Sequence, residues 1–119
     1  MTTREAAERW RDTWQTCWQS HEPEPIVALY AESAYFQSHP FRDAQTPRDY
    51  IQPTLEAEES AECEFADPIV DGDRAAVPWR ATTQLRTGDS ERLVGVSLLR
   101  FGADGLVTDQ RDVWAMAQP

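Results

Sequence analysis

The chain has 119 residues and a formal net charge of −10, and hydrophobic residues make up 40% of it. This length and composition predict one globular domain over residues 1–119, large enough to bury its own core. The negative charge argues against nucleic acid and anionic membrane as partners, because phosphate groups attract Lys and Arg. The N-terminal stretch lacks the apolar segment of a signal peptide, and no apolar run approaches membrane-spanning length. We therefore expect a cytoplasmic protein.

The first predicted helix begins at Thr2, where Thr2 and Glu5 form a capping-box pattern. Three tryptophans then recur every four residues, at Trp10, Trp14 and Trp18, and this spacing places them on one side of the helix. Such a stripe is typical of core packing. We expect Trp14, at its centre, to reach the wall of a pocket.

Two more helices are predicted in the first half of the chain. Pro23 opens a short one, because proline suits the first position of a helix. The buried side of this short helix is predicted to be Ile26, Leu29 and Tyr30. A further helix begins after Thr46, which forms a second capping box, and extends to about Glu59 with a kink or break at Pro53.

A short strand is predicted at residues 34–37, and the second half of the chain shows the pattern of four antiparallel strands. These are predicted at residues 62–70, 74–86, 91–101 and 106–116. Asp71-Gly72 is a signal for a two-residue hairpin turn. A bulge is expected near Pro78 in the second of these strands, and Pro68 is expected to do the same in the first. Helices followed by hairpin strands predict an α+β fold with three helices packed on one face of an antiparallel sheet.

The strand at 91–101 is apolar on both of its faces. Val94, Val96 and Leu98 alternate with the residues of the inward face, which are also largely apolar. A sheet with water on one side should alternate apolar and polar residues instead. A homodimer that covers the outer sheet face is therefore predicted, and the alternative is a curled sheet that covers its own back.

Four segments of the chain together resemble the NTF2-like superfamily, in particular its SnoaL-like members. They are residues 26–32 (IVALYAE), 34–40 (AYFQSHP), 70–79 (VDGDRAAVPW) and 100–114 (RFGADGLVTDQRDVW). The resemblance covers essentially the whole chain. It implies a cone-shaped fold in which three helices and a curved antiparallel sheet enclose a pocket. The fold hosts isomerases, cyclases, epoxide hydrolases and proteins without catalytic activity, so it does not by itself identify a function.

The resemblance also allows the active-site positions of related enzymes to be compared with this chain. The catalytic base of ketosteroid isomerases precedes a proline after the first strand, where this chain has His39. Their tyrosine and protonated aspartate correspond to Trp14 and Ser97, so all three isomerase residues differ here. Of the limonene-type epoxide hydrolase residues, only Asp112 is retained; Trp79 stands at one of the other two positions. The resemblance therefore argues against both of these activities, while it permits cyclase-like chemistry.

Asp112 and His39 are the candidate catalytic residues, since both could transfer a proton near neutral pH. On the last strand, alternation places Asp112 on the pocket side with its neighbours Gln110 and Trp114. The predicted ligand-binding residues are Trp14, Tyr30, Phe36, Trp79, Ser97, Gln110 and Trp114. Two alternatives stay open: His39 could be exposed, and Asp112 could instead form a structural ion pair with Arg80, Arg100 or Arg42.

The sequence therefore predicts a small-molecule-binding protein with a Trp-lined pocket and, at most, proton-transfer chemistry without a cofactor. No metal site is predicted, because the two histidines and the acidic residues lack the spacing of metal ligands. One alternative is a non-catalytic dimeric ligand-binding or accessory module. Another is a protein-interaction module that uses the outer sheet face.

Overall fold

The computed structural model describes residues 1–117 as three helices and six strands. The helices are α1 (Thr3–Ser20), α2 (Pro23–Val27) and α3 (Pro47–Ala57). The strands are β1 (Tyr30–Gln37), β2 (Glu58–Phe65), β3 (Ile69–Asp71), β4 (Arg74–Leu85), β5 (Ser90–Phe101) and β6 (Val107–Ala117). The α+β prediction is confirmed.

The helices begin where the capping signals place them. At the start of α1, the Thr2 hydroxyl accepts a hydrogen bond from the backbone of Glu5, whose carboxylate accepts one from the backbone of Thr2. The last residue of the helix is Ser20, and the C-cap residue His21 adopts a left-handed conformation with φ of 57°. Helix α3 continues through Pro53 but ends at Ala57, two residues earlier than predicted. Strand β2 follows directly.

The six strands form one curved, unclosed sheet in the order β1-β6-β5-β4-β2, with β3 also paired to β4. All pairs are antiparallel except β1 with β6, which is parallel. The strand predicted at 62–70 is interrupted, so that β2 and β3 pair with β4 in registers that differ by one residue. This irregularity lies opposite Pro78, whereas β4 itself stays in register with β5. The bulge expected near Pro78 is therefore not found in β4, whereas the one expected at Pro68 is found in the facing chain segment.

The core lies between α1 and the inner face of the sheet. Trp10, Trp14 and Trp18 project from α1 and are buried, together with the inward residues of β4 such as Val77 and Trp79. No helix within residues 1–117 has the length and apolar character needed to cross a membrane.

The outer face of the sheet is uncovered in the monomer. Pro78, Val96 and Val113 lie side by side across β4, β5 and β6, and Val113 is 49% exposed. Along β5, Val94 is 67% exposed and Leu98 is 45% exposed. These five residues are referred to below as the outer apolar patch.

Candidate functional site

A small cavity of about 50 Å³ lies between α1 and the inner face of β4, β5 and β6. All five tryptophans of the chain contribute to its wall. The lining residues are Trp10, Trp14, Trp18, Phe65, Trp79, Leu93, Ser97, Gln110, Asp112 and Trp114. This volume holds a few water molecules or one compact chemical group, whereas drug-sized ligands occupy roughly 300–1,000 Å³.

Space in this region of the sheet depends on Gly95. In the sheet, Gly95 is paired with Trp79 of β4 on one side and with Trp114 of β6 on the other. A Cβ atom at Gly95 would lie 2.6 Å from the Trp114 Cβ, 2.7 Å from the Val113 carbonyl oxygen and 2.9 Å from the Trp79 ring. The two indole rings can face each other across β5 only because the residue between them has no side chain.

Every indole N–H group that lines the cavity is already hydrogen-bonded within the protein. Trp10 and Trp14 donate to the Tyr30 hydroxyl at 3.3 and 3.1 Å, and Trp10 also lies 3.2 Å from Gln110 Oε1. The remaining donations run from Trp18 to Glu58, from Trp79 to Ser97, and from Trp114 to the Ser38 carbonyl oxygen. The tryptophans therefore offer ring surface, and not N–H donors, to whatever enters the cavity.

These donors fix the direction of a hydrogen-bond network that ends at Asp112. Because an indole N–H can only donate, the Tyr30 oxygen accepts from Trp10 and Trp14, and its proton goes to Gln110 Oε1. Gln110 Nε2 then donates to Asp112 Oδ1 at 3.0 Å. On the other side, Ser97 donates to the same Oδ1 at 2.7 Å.

Asp112 is the ionisable group of the cavity wall. Its side chain is buried, and this burial raises its pKa to about 7, although the hydrogen bonds from Ser97 and Gln110 act in the opposite direction. Within residues 1–117, Oδ2 has no hydrogen-bond partner, since both donors bind Oδ1. No arginine of this part of the chain pairs with Asp112, and Arg80 pairs with Glu64 at 2.8 Å instead. The structural ion-pair alternative for Asp112 is therefore wrong.

His39 lies outside the set of cavity-lining residues. Its ring packs edge-on against Trp114, with 4.7 Å between the ring centroids, and its Nδ1 accepts a hydrogen bond from the backbone of Phe41 at 3.2 Å. His39 therefore contacts the cavity wall only from outside, through Trp114, whereas Asp112 lines the cavity itself. The two candidate catalytic residues do not face each other across the cavity.

The seven predicted ligand-binding residues divide into two groups. Trp14, Trp79, Ser97, Gln110 and Trp114 line the cavity. Tyr30 and Phe36 lie outside the lining set and pack against each other, with 5.7 Å between their ring centroids. Tyr30 was predicted to lie on the second helix, but it belongs to β1. Its hydroxyl accepts hydrogen bonds from two of the lining indoles.

Four lining residues were not among the predicted catalytic or ligand-binding residues: Trp10, Trp18, Phe65 and Leu93. For Trp10 and Trp18 the signal was present, because residues spaced by four on a helix share one side with Trp14. Phe65 stands at the end of β2, and its ring lies 5.6 Å from that of Trp10 and 6.2 Å from that of Trp79. Alternation with Cys63 along β2 places it on the inner face opposite Trp79, so this residue too had a signal in the sequence.

A second buried carboxylate, Glu58, also escaped sequence analysis. It is only 4% exposed, and burial raises its pKa to about 7 against the effect of the hydrogen bond from Trp18. His21 Nε2 lies 3.4 Å from one of its oxygens. Because Glu58 was predicted to lie near the exposed end of a helix, no feature of the sequence indicated its burial.

Two wider, open depressions of about 820 and 620 Å³ lie elsewhere along the sheet. They are lined in part by exposed charged residues, among them Arg80 and Arg111. The Trp-lined cavity is the better candidate, because its wall is mainly aromatic and includes Asp112, a buried carboxyl group whose pKa is raised to about 7. Within residues 1–117, no three His, Cys, Asp or Glu side chains are grouped so that they could hold a metal ion.

Comparison with known proteins identifies the family. The sequence matches the SnoaL-like domain over residues 7–110. The chain belongs to the SnoaL-like domain family. This confirms the resemblance seen in the sequence. No curated protein matches this SnoaL-like chain.

Solved structures share the NTF2-like fold at low sequence identity. An NTF2-like protein from Exiguobacterium sp. 255-15 aligns with a TM-score of 0.76 and 14% identity over 92% of this chain and 98% of its own. SalBIII is described as an epoxide hydrolase/cyclase-like enzyme in pyran ring formation in the polyether salinomycin. It aligns with a TM-score of 0.76 and 18% identity over 95% of this chain and 90% of its own. RV0760c from Mycobacterium tuberculosis, in complex with estradiol-17beta-hemisuccinate, aligns with a TM-score of 0.76 and 16% identity over 99% of this chain and 100% of its own. At these identities the similarity shows the fold alone.

Proposed function

We propose that this SnoaL-like domain binds a small molecule in the Trp-lined cavity and that Asp112 exchanges a proton with it. The observation that carries the proposal is the Asp112 carboxyl group, which is buried in an aromatic wall and has one saturated oxygen and one free oxygen. Such a group can hold or release a proton near neutral pH without a cofactor.

The hydrogen-bond network supports a division of labour between the two carboxyl oxygens. Ser97 and Gln110 hold Oδ1 in place and leave it no role other than acceptor. When Asp112 is protonated, the proton therefore resides on Oδ2, where it can be donated to a ligand oxygen. When Asp112 is ionised, Oδ2 is the atom that can accept a proton from a carbon or oxygen acid.

The size of the cavity restricts the ligand. At about 50 Å³ it accommodates a small carbonyl group and not a polycyclic ring system. SalBIII is described as cyclase-like and RV0760c holds an estradiol derivative, so relatives with this fold do act on or bind organic molecules. We keep His39 as the predicted second base for a ligand that extends as far as Trp114.

Hydrogen–deuterium exchange at a ketone tests this proposal. Cyclopentanone is incubated with the protein in D₂O, and deuterium incorporation next to the carbonyl is followed by NMR. We expect catalysed exchange, and we expect Asp112→Asn to slow it by about 100-fold or more, the usual contribution of a general base. Equal rates with the wild-type protein and Asp112→Asn would contradict the role of Asp112.

Two further variants make the assay specific. Asp109→Asn removes a carboxylate from the same strand whose partner is Arg111, not a cavity residue, and should leave exchange unchanged. His39→Gln tests the second candidate base: loss of exchange in both His39→Gln and Asp112→Asn supports a catalytic pair. Loss in Asp112→Asn alone assigns proton transfer to Asp112.

The alternative is a dimeric binding module without turnover, and the outer apolar patch supports its dimeric part. Val94, Leu98 and Val113 are all more than two fifths exposed, and charged pairs of both signs border them, such as Arg80 with Glu64 and Arg111 with Asp109. An apolar centre with a mixed polar rim is the usual anatomy of an interface, and the mixed charges allow a second copy of the same face to pair with it.

A further inference from the structure

The cavity wall is an almost continuous aromatic surface. Ring centroids of Trp10 and Trp14 are 6.1 Å apart, those of Trp14 and Trp18 are 6.0 Å apart, and those of Trp18 and Trp79 are 5.8 Å apart. Trp114 completes the set on β6. A group within the cavity therefore meets several indole rings at once, and indole has the aromatic face that attracts cations most strongly.

The same wall is poor in hydrogen-bond donors. All five indole N–H groups are bound to Tyr30, Gln110, Glu58, Ser97 or the Ser38 carbonyl oxygen. No lysine or arginine is among the lining residues. An anionic group entering this space would find no positive charge to replace its lost hydration, which is costly in an apolar environment.

Asp112 supplies a negative charge that has no counter-ion. Its hydrogen-bond partners, Ser97 and Gln110, are both neutral, and burial without a neighbouring cation is the cause of its raised pKa. A cation beside Oδ2 would offset this desolvation. The net charge of −10 on the chain further favours the approach of positively charged molecules.

Trp114 already contacts one cation in this way. The guanidinium carbon of Arg42 lies 5.2 Å from the centroid of the Trp114 ring, although Arg42 is not among the residues that line the cavity. The small volume of the cavity limits a ligand cation to a compact head group.

We propose that the cavity binds a compact alkylammonium group, with the tryptophan rings around its carbon substituents and the Asp112 carboxylate as its counter-charge. This inference deepens the proposed function and rests on its assignment of the cavity as the ligand site. It adds the charge and shape of the group that is bound.

Isothermal titration calorimetry with two probes of the same shape tests this inference. Choline carries a trimethylammonium group, and 3,3-dimethyl-1-butanol carries an uncharged tert-butyl group in its place. We expect the wild-type protein to bind choline about tenfold more tightly than the alcohol or better, as expected for a cation at several aromatic faces and one carboxylate.

Two variants assign the effect to the cavity. Asp112→Asn keeps the side-chain shape and an oxygen that can accept from Ser97 and Gln110, but it removes the charge. We expect it to weaken choline binding about tenfold or more and to change binding of the alcohol by less than about threefold. Asp109→Asn makes the same change in net charge outside the cavity and should leave both affinities unchanged.

The possible results separate this inference from the proposed function. If the alcohol binds as tightly as choline, the preference for a cation is overturned, although the cavity can still be a ligand site. If Asp112→Asn binds choline as tightly as the wild-type protein, Asp112 is not the counter-charge and the inference is overturned as well. Binding of neither probe would also overturn it, and the ketone exchange experiment then decides on the proposed function by itself. Tighter binding of choline that is lost in Asp112→Asn supports the inference.

Discussion

Asp112 makes the stability of the protein depend on pH in an uncommon direction. Most carboxylates in folded proteins are stabilised as anions, so their pKa falls on folding and stability rises with pH. For Asp112, burial instead raises the pKa to about 7 from the ordinary value of 3.8 for an aspartate side chain. Between these two values the folded state binds more protons than the unfolded state, and the contribution of Asp112 to stability therefore falls as the pH rises.

The substitution Asp112→Asn should remove this dependence. Between pH 5 and pH 8 we expect the free energy of unfolding of the variant to rise relative to that of the wild-type protein by on the order of 3 kcal/mol. Urea unfolding followed by circular dichroism at both pH values measures it. Glu58, whose pKa is also raised to about 7, contributes in the same direction, so part of the pH dependence should persist in the variant. A difference that does not change with pH would show that Asp112 is ionised in the folded protein.

At the residue scale, alternation along the last strand was enough to bring Gln110, Asp112 and Trp114 to one side. It was not enough to decide the partners of Asp112, because those depend on the register between β5 and β6, which pairs Ser97 with Asp112. Glu58 could not have been found, since its burial requires α3 to end at Ala57 and the Trp18 indole N–H to reach its carboxylate. Neither condition is visible as a local pattern.

At the scale of elements, Gly95 on β5 lies between one tryptophan on β4 and one on β6, Trp79 and Trp114. Gly95→Ala should destabilise the protein by about 1–3 kcal/mol, because the added methyl group would meet the Val113 carbonyl oxygen at 2.7 Å, and a backbone atom cannot rotate away. Urea unfolding of the purified variant measures this cost.

Gly102→Ala is the matched control for this substitution. There the nearest atom to the added methyl group is a carboxylate oxygen of the Asp104 side chain at 3.1 Å, which can move aside. We expect a smaller loss of stability than at Gly95. If the two variants are equally stable, the approach of Trp79 and Trp114 does not depend on the missing side chain at Gly95.

The order and type of the elements followed from the sequence, because capping boxes, prolines and alternation are local signals. The Thr2 capping box and the proline opening α2 are found where they were expected, while Thr46 caps α3 through a single hydrogen bond from the Asp49 backbone N–H and not through a full capping box. Of the two bulges expected at prolines, the one at Pro68 is found as the interruption between β2 and β3, whereas Pro78 leaves β4 in register with β5. The parallel pairing of β1 with β6 joins distant parts of the chain and leaves no local signal.

At the scale of the whole molecule, the outer apolar patch should determine the oligomeric state. We expect Val94→Lys to convert a dimer to a monomer, because a lysine within a packed interface would be buried without a partner. Sedimentation equilibrium of both proteins measures the change. The control is Thr87→Lys, which adds the same charge in the exposed turn between β4 and β5. A monomeric wild-type protein, or a dimer that persists in Val94→Lys, would contradict this assembly.

The spacing of the tryptophan rings has an optical consequence. Neighbouring indoles from Trp10 to Trp79 are separated by only about 6 Å between centroids, a distance at which an electronic excitation passes readily from one ring to the next. We expect light absorbed by one member of the set to be passed to its neighbours before it is emitted. A molecule that quenches one ring in the cavity is therefore expected to lower the fluorescence of the neighbouring rings as well, so the intrinsic tryptophan fluorescence would report whether the cavity is occupied.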